Sequence, residues 1–197
     1  MKAALRATWD EVAERAELGE ARWGGEGGEE GFWRAFVAAA FRRSGGGGDG
    51  LPEGLLEGLI AHFADERHWA VFPEVRETLG GLKERGLKLA VVSNWDSTLP
   101  SLLARLGLAP YFDAIVVSAL VGAAKPAARI FEEALAATGV APHEALHVGD
   151  NLLEDYHGAR RAGLSALLVV RDGGPADGAE TVDSLSPLLE RLGKEPA

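Results

Sequence analysis

The chain has 197 residues, 47% hydrophobic and 25% charged, which excludes wholesale disorder and fits one ordinary domain or one domain with a modest insertion. Its 30 acidic and 20 basic side chains give a net charge of -10, the wrong sign for a duplex-binding protein, so no nucleic-acid partner is expected. There is no Cys, no apolar run of membrane-spanning length and no signal-peptide core, which excludes disulfides and thiolate chemistry and predicts a cytoplasmic chain with no membrane partner.

Residues 1–70 carry much of the Gly, in GGEGGEEG (24–31) and SGGGGDG (44–50). Three helical patterns accompany these loops: Leu5, Trp9, Val12 and Ala16; Phe32, Trp33, Phe36, Val37 and Phe41; Leu55, Leu56, Leu59, Ile60 and Phe63. The spacing predicts a small helical unit and no strand. Gly45, Gly47 and Gly50 satisfy G-x-G-x-x-G, but the preceding FVAAAFRR is helical, so the segment reads as a flexible loop and not a dinucleotide site.

From about Pro73 the texture changes. Residues 87–93, 112–118, 144–150 and 165–171 are short runs rich in Val, Leu and Ile, with helical segments at 74–85, 98–106, 126–138 and 152–162. Gly86, Gly107, Gly139 and Gly163 follow these helices, where a left-handed residue is favoured. The alternation predicts an α/β core over 71–197, a Rossmann-like parallel sheet with helices on both faces. The tail GKEPA reads as frayed.

Ligands in such sheets bind beyond the carboxyl ends of the strands. There the first run ends in Ser93-Asn94-Trp95-Asp96, and the third in Gly149-Asp150, followed by Asn151, Glu154 and Asp155. The second run leads to Ala124-Lys125-Pro126. Ser93 offers a hydroxyl, Lys125 a compact cation of the kind used on phosphate, and Asp150 and Asp155 hard oxygens suited to Mg²⁺. Together these point to phosphoryl chemistry. Singly, each has a plainer reading: Ser93, Asp150 and Asp155 as helix caps, Lys125 as a surface charge. His147, inside an apolar run, reads as a packed core residue, and His157 as structural. Trp33 and Trp69 read as core or as the lining of a substrate entrance. Trp95-Asp96 reads as a helix cap or a substrate contact.

VVSNWDS, AAKPAARIF and HVGDNLLEDYHGARRAG resemble motifs two, three and four of the haloacid dehalogenase-like (HAD) hydrolases, over about residues 70–172. Residues 1–70 resemble the α-helical cap inserted after the first strand in one subgroup. The resemblance implies that Ser93 and the Asn94 backbone bind the transferring phosphoryl group and that Lys125 neutralises charge. It implies Asp150 as a Mg²⁺ ligand, supported by Asp155, and a small phosphorylated substrate. The family has KPDP more often than KPAA, so Ala127 is a departure that leaves Lys125 in place.

The same resemblance implies an Asp nucleophile after a first, central strand, forming an aspartyl-phosphate. Asp10, Asp49 and Asp65 do not follow an apolar strand, so motif one is not found and the chain is expected to be inactive as it stands. About five buried side chains on such a strand, at roughly 1.5–3 kcal/mol each, amount to about 10 kcal/mol, comparable to a domain's whole stability. A start codon assigned too late is the favoured explanation. A degenerate relative that binds a phospho-ligand or a protein, or a strand supplied by a second subunit, stays open. Haloacid dehalogenase chemistry is a further alternative. Oligomeric state and substrate are not legible.

Overall fold

The computed structural model describes residues 2–17, 27–47, 50–171, 173 and 177–193. Asp49, Gly24 and the tail residues 194–197 lie outside these, as does the side chain of Ala16. The three N-terminal helical patterns form α1 (Lys2–Glu17), α2 (Gly28–Arg43) and α3 (Leu55–Ala64). Their apolar sides meet in one cluster around Phe36, Val37 and Leu56, with Leu5, Trp9, Val12, Phe32 and Trp33 packed against it. The Trp9 ring stands 4.4 Å from Phe36. Phe63, at the end of its pattern, stays 44% exposed.

Helices and strands then alternate: α4 (Val75–Glu84), β1 (Ala90–Ser93), α5 (Leu99–Arg105), β2 (Ala114–Val117), α6 (Ser118–Val121), α7 (Ala128–Thr138) and β3 (Leu146–Gly149). A π-helical turn (Leu152–His157) leads into α8 (Gly158–Arg161), followed by β4 (Ser165–Val169), β5 (Thr181–Val182) and α9 (Pro187–Arg191). All pairing is parallel, as the alternation predicts, but it falls into two ladders. β1 pairs with β2, from Ala90 opposite Ala114 to Ser93 opposite Val117. β3 pairs with β4, and β4 with β5. Among the described residues no ladder joins β1 to β3.

Both ladders share the same covering layers. On one side Ile130, Phe131 and Ala134 of α7 and Ala159 of α8 pack with Val116 of β2, Ala166 of β4, and Ala90 and Val92 of β1. On the other, Leu82 of α4 and Leu188 of α9 pack with Leu167 of β4, Val182 of β5, Leu146 and Val148 of β3, and Leu89. This is the coverage on two faces that parallel strands need.

The strands are shorter than their apolar runs. Leu87 and Leu89 pack in the core without lying in the β1 ladder. The helix expected over 152–162 is a wide turn followed by four α-helical residues. Asn151 explains the difference. Its Oδ1 accepts the N–H groups of Leu153 and Glu154, and its carbonyl accepts those of Asp155 and Tyr156. The four glycines expected to end helices all take positive φ, from 66° at Gly107 to 87° at Gly163.

Candidate functional site

The turn that follows β1 is bound to two later segments through one side chain. Asn94 Nδ2 donates to the Lys125 carbonyl (2.9 Å) and to the Glu154 carboxylate (2.9 Å). Its Oδ1 accepts the Lys125 N–H (2.7 Å). The amide thus bridges the end of β1, the loop before α7 and the π-helical turn. Ser93, half-buried, is the last residue of β1 and stands at the same strand end.

Lys125 is 8% exposed, and its Nζ lies 2.5 Å from Asp155 Oδ1. The same oxygen is 2.9 Å from His147 Nε2, while Asp155 Oδ2 accepts the Asn151 N–H (3.0 Å). Phe131 stands edge-on to the His147 ring at 5.2 Å. Burial pushes the Asp155 carboxyl up, but the His147 hydrogen bond and the Lys125 ammonium outweigh it and hold the group well below the usual carboxylate range. Asp155 is therefore an ionised, fully engaged carboxylate that fixes the Lys125 head and the backbone just after Asp150.

Asn94, Lys125 and Asp155 are joined by direct contacts. Asp150 is exposed at the next position before Asn151. His147 and Glu154 are additions to the expected site. His147 is packed against Phe131, as its reading as a core residue expects, and is in addition bonded to Asp155. The alternation along a strand places His147 on the same face as Gly149, over which Asp155 lies. That period gives the face, but only the placement of Asp155 over the strand end marks His147.

The donors fit Mg²⁺ in kind, since Asp150 is an exposed hard-oxygen ligand on a loop held by Asp155. Asp155, whose oxygens accept from Lys125 and from the Asn151 N–H, fits as a support for that site. Among the described residues no three His, Asp or Glu side chains gather into a metal cluster. No helix among them is long and apolar enough to cross a membrane.

Residues 3–163 match the family model for haloacid dehalogenase-like hydrolases. The chain is 38% identical over 138 residues to the haloacid dehalogenase-like hydrolase domain-containing protein 3 of Xenopus laevis, covering 70% of the chain and 57% of that protein. It is 37% identical over 175 residues to the phosphoserine phosphatase of Thermus thermophilus, covering 88% of the chain and 67% of the relative. The chain thus spans between about half and two thirds of the length of these relatives. A crystal structure of an HAD phosphatase from Thermococcus onnurineus aligns with 98% of the chain and 80% of its own, at TM-score 0.68 and 26% identity.

Proposed function

Because the chain belongs to the haloacid dehalogenase-like hydrolases, we propose that its rim is the phosphate- and Mg²⁺-holding half of a site that hydrolyses a small phosphomonoester. The buried Lys125–Asp155 pair carries this reading. A desolvated ammonium held in place by a buried carboxylate is suited to transition-state charge on a phosphoryl group. The Ser93 hydroxyl and the Asn94 N–H would hold phosphoryl oxygens, and Lys125 would offset their charge. Asp150 would hold Mg²⁺, with Asp155 fixing its loop. Mg²⁺, when bound, supplies further neutralisation of the phosphoryl oxygens. Residues 1–70 would form the cap and 71–197 the core, in a cytoplasmic enzyme.

In the complete reaction an aspartate oxygen attacks phosphorus and the alcohol leaves. Water then cleaves the aspartyl-phosphate, returning the carboxylate and releasing inorganic phosphate. We place the attacking aspartate on a further strand between β1 and β3, outside residues 1–197. The division of the strands into two ladders under shared covering layers supports this placement. So does the position of Asp10, exposed within α1, and of Asp65, bound to Arg67.

Calorimetry with inorganic phosphate and Mg²⁺ tests the binding half. Saturable binding is expected, weakened at least about tenfold, or about 1.4 kcal/mol, in Lys125→Ala. Absence of binding overturns the reading. Residues 1–197 are expected to show no cleavage of p-nitrophenyl phosphate above buffer. Mg²⁺-dependent cleavage that Lys125→Ala abolishes would overturn the placement of the nucleophile.

A further inference from the structure

We propose that Asp96 is a latch residue that locks the helical unit onto the turn after β1 and through that turn positions Asn94 and Lys125. The Trp33 indole, on α2, donates from Nε1 to Asp96 Oδ2 at 2.9 Å. Asp96 is 8% exposed, and its other oxygen accepts the Thr98 N–H (2.9 Å) and the Thr98 hydroxyl. One carboxylate therefore faces donors on both oxygens, one from the helical unit on Oδ2 and two from Thr98 of its own turn on Oδ1.

A second link runs parallel to the first. Glu29, in the first turn of α2, accepts from the Ser97 N–H (3.1 Å) and hydroxyl (2.8 Å). Aromatic rings close the circuit. Trp33 stacks on Phe63 of α3 at 6.4 Å, Phe63 meets Trp69 at 6.2 Å, and Trp69 meets Trp95 of the turn at 5.3 Å. The Trp69 indole donates to the Phe63 carbonyl (2.9 Å). Residues 95 and 96 are thus held from two sides by the helical unit. One residue earlier, Asn94 holds Lys125 through both its N–H and its carbonyl. Movement of the helical unit is therefore transmitted to Lys125 through three consecutive residues.

Chemistry dictates the choice of residue. A carboxylate accepts at both oxygens, whereas Asn has one acceptor and one donor and satisfies only one of the two partners. The other donor is then left facing an N–H₂ group in a largely dry site, which is costly.

The test uses ¹⁵N-labelled residues 1–197. The chain has five Trp, so five indole N–H signals are expected, and the Trp33→Phe variant identifies that of Trp33. In Asp96→Asn the Trp33 indole signal should move and exchange with solvent at least about tenfold faster, while the Trp69 indole stays protected. The Lys125 amide should shift in Asp96→Asn and in Trp33→Phe alike, and no further in the double variant, as expected of one shared link. Trp33→Phe keeps the aromatic packing and decides the matter if Asp96→Asn does not fold. An unchanged Trp33 indole in Asp96→Asn overturns the latch. An unchanged Lys125 amide in a folded variant overturns the coupling to the site. These signals are read without ligand, so failure of wild-type protein to bind phosphate would sink the proposed function and not this inference.

Discussion

A Cβ on Gly149 would lie 2.2 Å from Cγ of Asp155 and 2.6 Å from its Cβ. The last residue of β3 must therefore be Gly for the Asp155 carboxylate to lie over the strand end and reach both Lys125 and His147. Gly149 has an ordinary negative φ, so the requirement is space and not backbone conformation.

Gly149→Ala is accordingly expected to displace Asp155 and weaken the buried pair. Overpacking of this kind costs about 1–3 kcal/mol. With roughly 2–4 °C lost per kcal/mol in a chain of this size, the melting temperature should fall by roughly 2–12 °C. Calorimetric melting checks this, and an unchanged melting temperature would show that Asp155 has room to move.

Lys125→Met leaves the buried Asp155 carboxyl without its ammonium, with His147 and the Asn151 N–H as its remaining partners. Breaking a buried pair on one side costs about 3–5 kcal/mol. Adding Asp155→Asn removes the stranded charge. The double variant should then be more stable than the sum of the two single losses by about 1–3 kcal/mol. Urea unfolding of the four proteins closes the cycle, and strict additivity would mean that the two groups do not interact.

How much of this was legible in the sequence depends on where the interaction lies. The alternation of strands and helices, the strand-end positions of Ser93 and Asp150 and the loop position of Lys125 follow from apolar runs and what comes after them. The strand limits do not, because Leu87 and Leu89 belong to the core without belonging to a ladder. β5 has two residues, too few to show a period, and α9 has five. The bridge from Asn94 to Glu154 joins residues 60 apart, which no spacing rule registers. His147 was hidden by its neighbours, since a His among Leu and Val reads as packing until Asp155 is placed over it.

Asp113 ties three elements together below the sheet. It accepts from Lys83 of α4 (2.8 Å) and from the Leu89 N–H just before β1 (2.8 Å). The Lys83 hydrogen bond first, and then that of Leu89, hold its carboxyl down at about 2. Its pKa is thus lower folded than unfolded, where Asp lies near about 3.9. The stabilisation is present above about pH 4 and is lost as pH falls towards 2. Asp113→Asn should flatten the decline of melting temperature over that window and leave its pH dependence above pH 5 unchanged. A decline of undiminished slope in the variant would assign acid sensitivity to other carboxylates.

The two ladders make a prediction about hydrogen exchange that separates a split sheet from a closed one. In an ordinary parallel sheet the inner strands are the most protected, because both edges are hydrogen-bonded. Here β2, which among the described residues pairs only with β1, buries Val116 and Val117 to 7% and 1% exposure, and β4 buries Ala166, Leu167 and Leu168 to 4% or less. All four residues of β1 and all four of β3 are only half-buried. β1 packs on one covering layer through Ala90 and Val92, and β3 on the other through Leu146 and Val148. Each carries one edge of backbone N–H and C=O groups outside any ladder among the described residues. Groups on such an edge exchange through solvent without the opening that a ladder requires. In residues 1–197, segments 90–93 and 146–149 should lose protection faster than segment 165–169, read by mass spectrometry of the exchanged protein. Addition of a strand along both edges should reverse that order. Equal protection of all three segments from the outset would show that β1 and β3 are already paired in solution, and would remove the structural support for a nucleophile strand between them.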